Sequence, residues 1–178
     1  MASAVFDDPN LVSFAGLVPL MALAGRVGLA QLAAQWLSVP TDKGANAGLR
    51  VSSLVAGMAA GGDRLDDIGV LRHAATDKVV DASYAPSTLG SFLRACTFAH
   101  VRQLDAVASR FLTALAADTN LMGAPEARSR VMVDLDDTIV EVHGYQKQGA
   151  AFGYSGARGL NAILATVSTD TVAPVVVA

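Results

Sequence analysis

The spacing of hydrophobic positions along this chain changes once. From Leu17 to Asp118 apolar residues recur at helical intervals, and from Val131 onward they gather in short β-branched runs. Leu17 to Leu37 has an apolar residue in every turn, with Gly25 and Gly28 as breaks, which predicts two short helices. "VPTDKGANAG" is a loop by composition, and Leu49 to Ala60 predicts an apolar helix with Gly57 inside it. "GGDRLDD" then makes a break and offers Asp63 as the N-cap of a helix from Arg64 to His73. Pro86, with Ser87 or Thr88 as N-cap, starts another helix that places Leu89, Phe92, Leu93 and Cys96 on one face. Thr97 to Asp118 continues with Val101, Leu104, Val107, Ala108, Phe111, Leu112 and Leu115 at helical spacing. Trp36 and Met58 read as core residues.

"NLMGAPEARSR" marks a linker, and the strands expected after it are Val131–Val142, Leu160–Ser168 and Ala173–Val177. The segment between Gly144 and Leu160, rich in Gly, Gln and aromatics, reads as a structured loop or hairpin turn. The fold class is therefore α+β. An all-helical module covers 1–120, a linker 121–130, and the opening strands of a second domain 131–178. The last strand, "TVAPVVVA", has no covering element after it, so the chain reads as cut off mid-fold.

Composition narrows the class. Of 178 residues, 52% are apolar and 16% charged, which excludes a disordered chain. One cysteine, Cys96, excludes an internal disulfide framework and fits a reducing compartment; it reads as a small buried thiol. The apolar stretch "PNLVSFAGLVPLMALAG" contains Pro19 and two glycines and falls short of a spanning helix. A signal peptide would open on basic residues, whereas Asp7 and Asp8 stand here. The expectation is a soluble cytoplasmic protein with no membrane partner. Residues 1–130 hold eleven Lys/Arg against eleven Asp/Glu, and 131–178 hold two against five. Charge alone does not announce a nucleic-acid partner.

Candidate chemistry sits in "VMVDLDDTIVEVHG". Aspartates are poor strand residues and costly to bury without a partner. Strand alternation sends Asp134, Asp136 and Thr138 to one face and Asp137 to the other. Two carboxylates about 7 Å apart on one face repel unless a proton or cation joins them. Hard divalent ions such as Mg²⁺ are held by one or two carboxylates plus substrate phosphates, a combination suited to phosphoryl transfer. The plainer alternative is an edge strand whose acids are solvated.

"VMVDLDDTIV" resembles the first motif of haloacid-dehalogenase-type phosphatases, which would make Asp134 the nucleophile and Asp136 the general acid/base. That fold needs a complete doubly wound sheet afterwards, and the 40 residues after Thr138 offer one Lys and one Asp toward it. A second resemblance covers nearly the whole chain. "DLDDTIVEVHGYQKQGAAFGYSGARGLNAILATVSTDTVAPVVVA" is similar to the opening of the ribonuclease H-like catalytic domain in bacterial insertion-sequence DDE transposases. "GLVPLMALAGRVGL", "DKGANAGLRVSSLVAGMAAGGDRLDDIGVLRH" and "APSTLGSFLRACTFAHVRQLDAVASRFL" resemble their helical N-terminal part.

The resemblance implies DNA transposition by metal-dependent strand cleavage and transfer, with Mg²⁺ or Mn²⁺ as cofactor. It makes Asp136 the first metal-binding carboxylate of the catalytic triad and Asp134 its neighbour on the same face. The family's second Asp and its Glu are expected downstream: Asp170 comes too soon and Glu141 lies on the first strand. The chain alone is therefore expected to be inactive. The alternative is a DNA-binding regulator or inhibitor derived from a truncated transposase. The resemblance also implies DNA carrying the element's terminal repeats as partner, and a homodimer in the complete enzyme. Lys147 and Arg158, among Tyr145, Phe152 and Tyr154, combine cations with aromatics as DNA contacts do. Arg94, Arg102 and Gln103 would reach DNA if the helices from Pro86 onward form a helix-turn-helix, although a plain bundle accommodates them equally. His143 is a candidate neighbour of the metal, but such a histidine more often hydrogen-bonds a turn.

Overall fold

The computed structural model describes residues 12–40, 42–73, 76, 80, 83–122, 130–143, 147–170 and 172–177. These form two compact units, divided between Val107 and Ala108. The linker expected at 121–130 falls mostly outside the described residues.

The first unit is helical. α1 (Leu17–Val27) ends at Gly28, whose φ of 88° places it in the left-handed region that glycine tolerates. Its N–H donates to the carbonyls of Ala24 and Gly25, both at 3.1 Å, closing the helix as a C-cap. α2 (Leu29–Trp36) then starts at 49° to α1, so the two predicted short helices are present and the break is Gly28 alone. α3 (Ala47–Ala59) packs on α2 through small residues. A Cβ on Gly48 would stand 2.2 Å from the Ala30 carbonyl oxygen, and one on Gly57 2.7 Å from Ile68 Cγ1. The buried face of α3 includes Ala47, Gly48, Ser53, Ala56 and Gly57.

This close approach corrects one expectation. Met58 is 61% exposed and Trp36 39% exposed, so neither belongs to the core. Backbones held together by glycine and alanine leave no room between them for large side chains, which are displaced outward. The core itself gathers Leu17, Ala56, Ile68, Leu71, Val80 and Leu89. Arg50 is buried beside it, its guanidinium 5.6 Å from the Tyr84 ring and 5.5 Å from the Phe92 ring.

The helix expected from Arg64 is a 3₁₀ helix, Asp66–Arg72. The carboxylate that meets its entrance is Asp67, which accepts the Arg64 N–H at 2.9 Å, rather than Asp63. α4 (Pro86–Ala95) begins with proline in its first turn and Ala85 at the cap position, without the hydroxyl cap expected from Ser87 or Thr88. Leu89 and Phe92 enter the core, while Leu93 lies 39% exposed. The half-buried Cys96 thiol donates to the Phe92 carbonyl at 3.5 Å, and burial pushes its pKa up. α5 (Phe98–Asp118) follows after a break of two residues. Among the described residues no single helix is long and apolar enough to cross a membrane; α1 and α2 pass such a test only as a bent pair.

The second unit holds a four-stranded antiparallel sheet: β1 (Val131–Glu141), β2 (Ala151–Phe152), β3 (Arg158–Thr169) and β4 (Val175–Val176). β3 is central, with β1 along one side and the short β2 and β4 on the other. The mixed α+β class is therefore present.

The tight α2–α3 contact yields a prediction. Gly48→Ala should destabilise the protein by about 1–3 kcal/mol, since its Cβ meets backbone that must shift. Gly25→Ala, with open space around it inside α1, should be neutral or stabilising by up to about 1 kcal/mol. Urea denaturation of the two variants measures the contrast.

Candidate functional site

The site is built on the ladder between β1 and β3. All eleven residues of β1 are paired, from Val131↔Thr169 to Glu141↔Gly159. Alternation along this register sends Met132, Asp134, Asp136, Thr138 and Val140 to one face, with Ser168, Thr166, Leu164, Ala162 and Leu160 opposite them. The other face carries Val131, Val133, Leu135, Asp137 and Ile139 against Thr169, Val167, Ala165, Ile163 and Asn161.

Asp134 and Asp136 thus share a face, next to Thr166 and Leu164 respectively. Both are exposed, as is Asp137. The strand is not the buried one its apolar residues suggested: Val133 is 63% and Leu135 69% exposed. β1 is an edge strand with its acids in water, which removes the desolvation cost that made three aspartates puzzling there. One Asp136 oxygen accepts the Asp137 N–H at 2.9 Å. Asp137, on the opposite face, accepts a hydrogen bond from Asn161 Nδ2 at 3.2 Å. That diagonal pair was missed in the sequence, since only the register brings residues 24 positions apart together.

As a donor set, two exposed hard oxygen ligands on one face fit the carboxylate share of a Mg²⁺ or Mn²⁺ site completed by water and phosphate. They do not by themselves form a cage. Among the described residues no group of three or more His, Cys, Asp or Glu is placed to hold an ion. Glu141 is at the far end of β1, and Asp170 lies in the bend after β3. His143 is seven residues beyond Asp136 along an extended segment, roughly 20 Å away, too far to share an ion with it.

Lys147 is exposed at the start of a turn in which the Ala150 N–H donates to the Lys147 carbonyl at 3.3 Å. Arg158 is half-buried at the start of β3, in register with Phe152 and on the face that carries Asp134 and Asp136. Tyr145 lies outside the described residues. In the helical unit Arg94 and Arg102 are exposed, and Arg94 approaches Ser91 Oγ at 3.4 Å. Gln103 has a structural contact: its side-chain oxygen accepts the Ser38 N–H at 2.9 Å. Next to it the buried His100 ties the same loop. Its Nδ1 accepts the Thr97 N–H at 2.8 Å, so the proton sits on Nε2, which donates to the Ser38 carbonyl at 3.1 Å. The sequence signal was "TFAH", a variant of the capping box with histidine three residues after threonine.

The family model for the transposase DDE domain, group 1, matches residues 2–170. The chain belongs to the insertion-sequence DDE transposases. No curated protein and no solved structure matches it significantly. At the family level the activity of a DDE transposase is transposition, its substrate is DNA, and divalent metals generally serve it. The match spans both the helical unit and the sheet, so in this transposase chain Asp134 and Asp136 lie within the DDE family region.

The register of this site rests on Gly159. A Cβ there would stand 2.6 Å from Ile139 Cγ2 and 2.9 Å from the Val140 carbonyl oxygen. Gly159→Ala should cost about 1–3 kcal/mol and speed hydrogen exchange of the β1 amides. Exchange rates unchanged from the parent would show that the ladder does not depend on this contact.

Proposed function

We propose that this chain belongs to an enzyme that cleaves DNA at an element's ends and joins the freed 3′ hydroxyl to target DNA. The observation that carries the reading is the shared, water-facing side of β1 from which Asp134 and Asp136 project, within a region matching the DDE domain. Asp136 is the metal-binding catalytic carboxylate and Asp134 the second ligand. A bound Mg²⁺ or Mn²⁺ supplies charge stabilisation for the attacking and leaving oxygens of in-line phosphoryl transfer. The chain's own contribution is to hold those two carboxylates at fixed spacing on a paired strand and to keep phosphate within reach.

The long antiparallel pair followed by a third strand supports the reading as the start of a ribonuclease H-like sheet. Arg158 lies on the same face as Asp136, six residues along β3 from its partner Leu164, or about 20 Å. A DNA strand covers that span in a few nucleotides, so Arg158 and Lys147 serve as phosphate contacts flanking the metal-binding face. Arg94 and Arg102, exposed on α4 and α5, contact DNA from the helical unit; Gln103 is positioned to do so only alongside its bond to Ser38. The working form is a cytoplasmic homodimer on the element's terminal repeats.

Fixing two ions in line requires carboxylates from several elements, and Asp134 and Asp136 come from one strand. The chain on its own therefore binds DNA without cutting it, which is also what a regulator derived from the transposase would do. Gel shifts on DNA bordering the reading frame should show binding by residues 1–178. Lys147→Ala should lower the salt dependence of that binding by about one counterion. Plasmid nicking in Mg²⁺ or Mn²⁺ should be absent. Nicking that disappears on Asp136→Ala would overturn the claim of inactivity.

A further inference from the structure

Three aspartates stand on β1, and the proposed metal site uses two of them. The third, Asp137, faces the other side of the sheet, so its side chain cannot share an ion with Asp134 and Asp136. Its backbone meets them instead. The Val142 N–H donates to the Arg158 carbonyl at 3.1 Å, which makes these two a hydrogen-bonded pair of the antiparallel ladder. Such pairs alternate, so Val140, Thr138, Asp136 and Asp134 also exchange backbone bonds with β3. Val133, Leu135 and Asp137 therefore turn their N–H groups away from β3, toward the open edge of the sheet.

At Asp137 that outward donor is taken. Asp136 Oδ1 accepts it at 2.9 Å, so the Asp136 side chain folds over its own strand and caps the next amide. A short carboxylate bonded to neighbouring backbone loses rotamer freedom, and the direction of its other oxygen is set by the strand. Asp137 is held in turn from the opposite face. Asn161, diagonal to Asp137 across the ladder, donates from Nδ2 to its carboxylate at 3.2 Å. A Lys or Arg at that position would also hold Asp137, but its charge would repel a divalent ion nearby. Asparagine supplies the bond without the charge.

We infer that Asp137 and Asn161 are positioning residues for the metal-binding carboxylate. The Asp137 N–H fixes Asp136 so that it offers a divalent cation one oxygen, and Asn161 steadies Asp137 from behind the sheet. Orientation in advance removes part of the ordering cost that a mobile carboxylate meets when it takes up an ion. This inference rests on the metal-binding reading of Asp134 and Asp136 and adds the residues that aim one of them.

The test is magnetic resonance on isotope-labelled residues 1–178, with Mn²⁺ as the probe. Before metal is added, the Asp137 amide should be about fivefold better protected from hydrogen exchange than the outward amides of Val133 and Leu135. Asp136→Ala should remove that difference. Asn161→Ala should weaken Mn²⁺ binding at the carboxylate face about threefold, a modest effect because the bond is exposed. Asp137→Asn combined with Asn161→Asp restores an amide–carboxylate pair with the same total charge and should recover the parental affinity. Exchange of the ladder amides of Asp134, Asp136 and Thr138 checks that the register survives each substitution. An Asp137 amide no better protected than its outward neighbours overturns the positioning role. So does Mn²⁺ affinity that ignores Asn161→Ala, or that the exchanged pair fails to restore; Mn²⁺ broadening centred on Asp136 would then leave the metal reading standing. No broadening on this face in the parent chain overturns both.

Discussion

The pairing of β1 with β3 is the constraint on which the site depends. A slip of one residue would exchange the two faces and separate Asp134 and Asp136 from their present neighbours Thr166 and Leu164. In many sheets burial of one face enforces register. Here that enforcement is weak, because Leu135 on one face and Met132 on the other are both well exposed. Three local contacts act instead. Gly159 allows Ile139 to close over it, Asn161 donates to Asp137, and Val167 is buried where β4 pairs with β3 through Val175. The carboxylate spacing is thus an outcome of backbone geometry and small-residue fit rather than of a hydrophobic core.

This explains what could be read from the sequence and what could not. Strand alternation is a local property, so the sharing of a face by Asp134 and Asp136 was legible, as was the switch from helical to strand periodicity after Asp118. The break at Gly28 was legible in part, because Gly25 offered the same break in the sequence and instead continues α1. Exposure was not. The apolar run Val131–Leu135 looks identical whether covered or bare, and its coverage depends on elements distant in sequence. Met58 and Trp36 misled for a related reason: size suggests burial, but the α2–α3 contact is made by glycine and alanine.

The helical unit shows the same dependence on small and polar groups. His100 and Gln103 both fasten Ser38, tying the loop after α2 to the first turns of α5. A histidine and a glutamine on a helix invite a ligand-binding interpretation, and the structure uses both to satisfy backbone groups that would otherwise be unpaired. That leaves Arg94 and Arg102 among the exposed cations of the α4–α5 segment, which also include Arg110. Alone, such a pair supplies little affinity, and the recognition proposed for this unit depends on several weak contacts acting together.

The central claim is that the Asp134–Asp136 face takes up a divalent cation. Manganese titrated into isotope-labelled protein tests it directly, because the paramagnetic ion broadens the amide signals nearest to it. The account predicts selective broadening at Asp134, Asp136, Leu164 and Thr166, lost in Asp136→Asn. Broadening centred on Glu141 or Asp170, or none that Asp136→Asn removes, would contradict it.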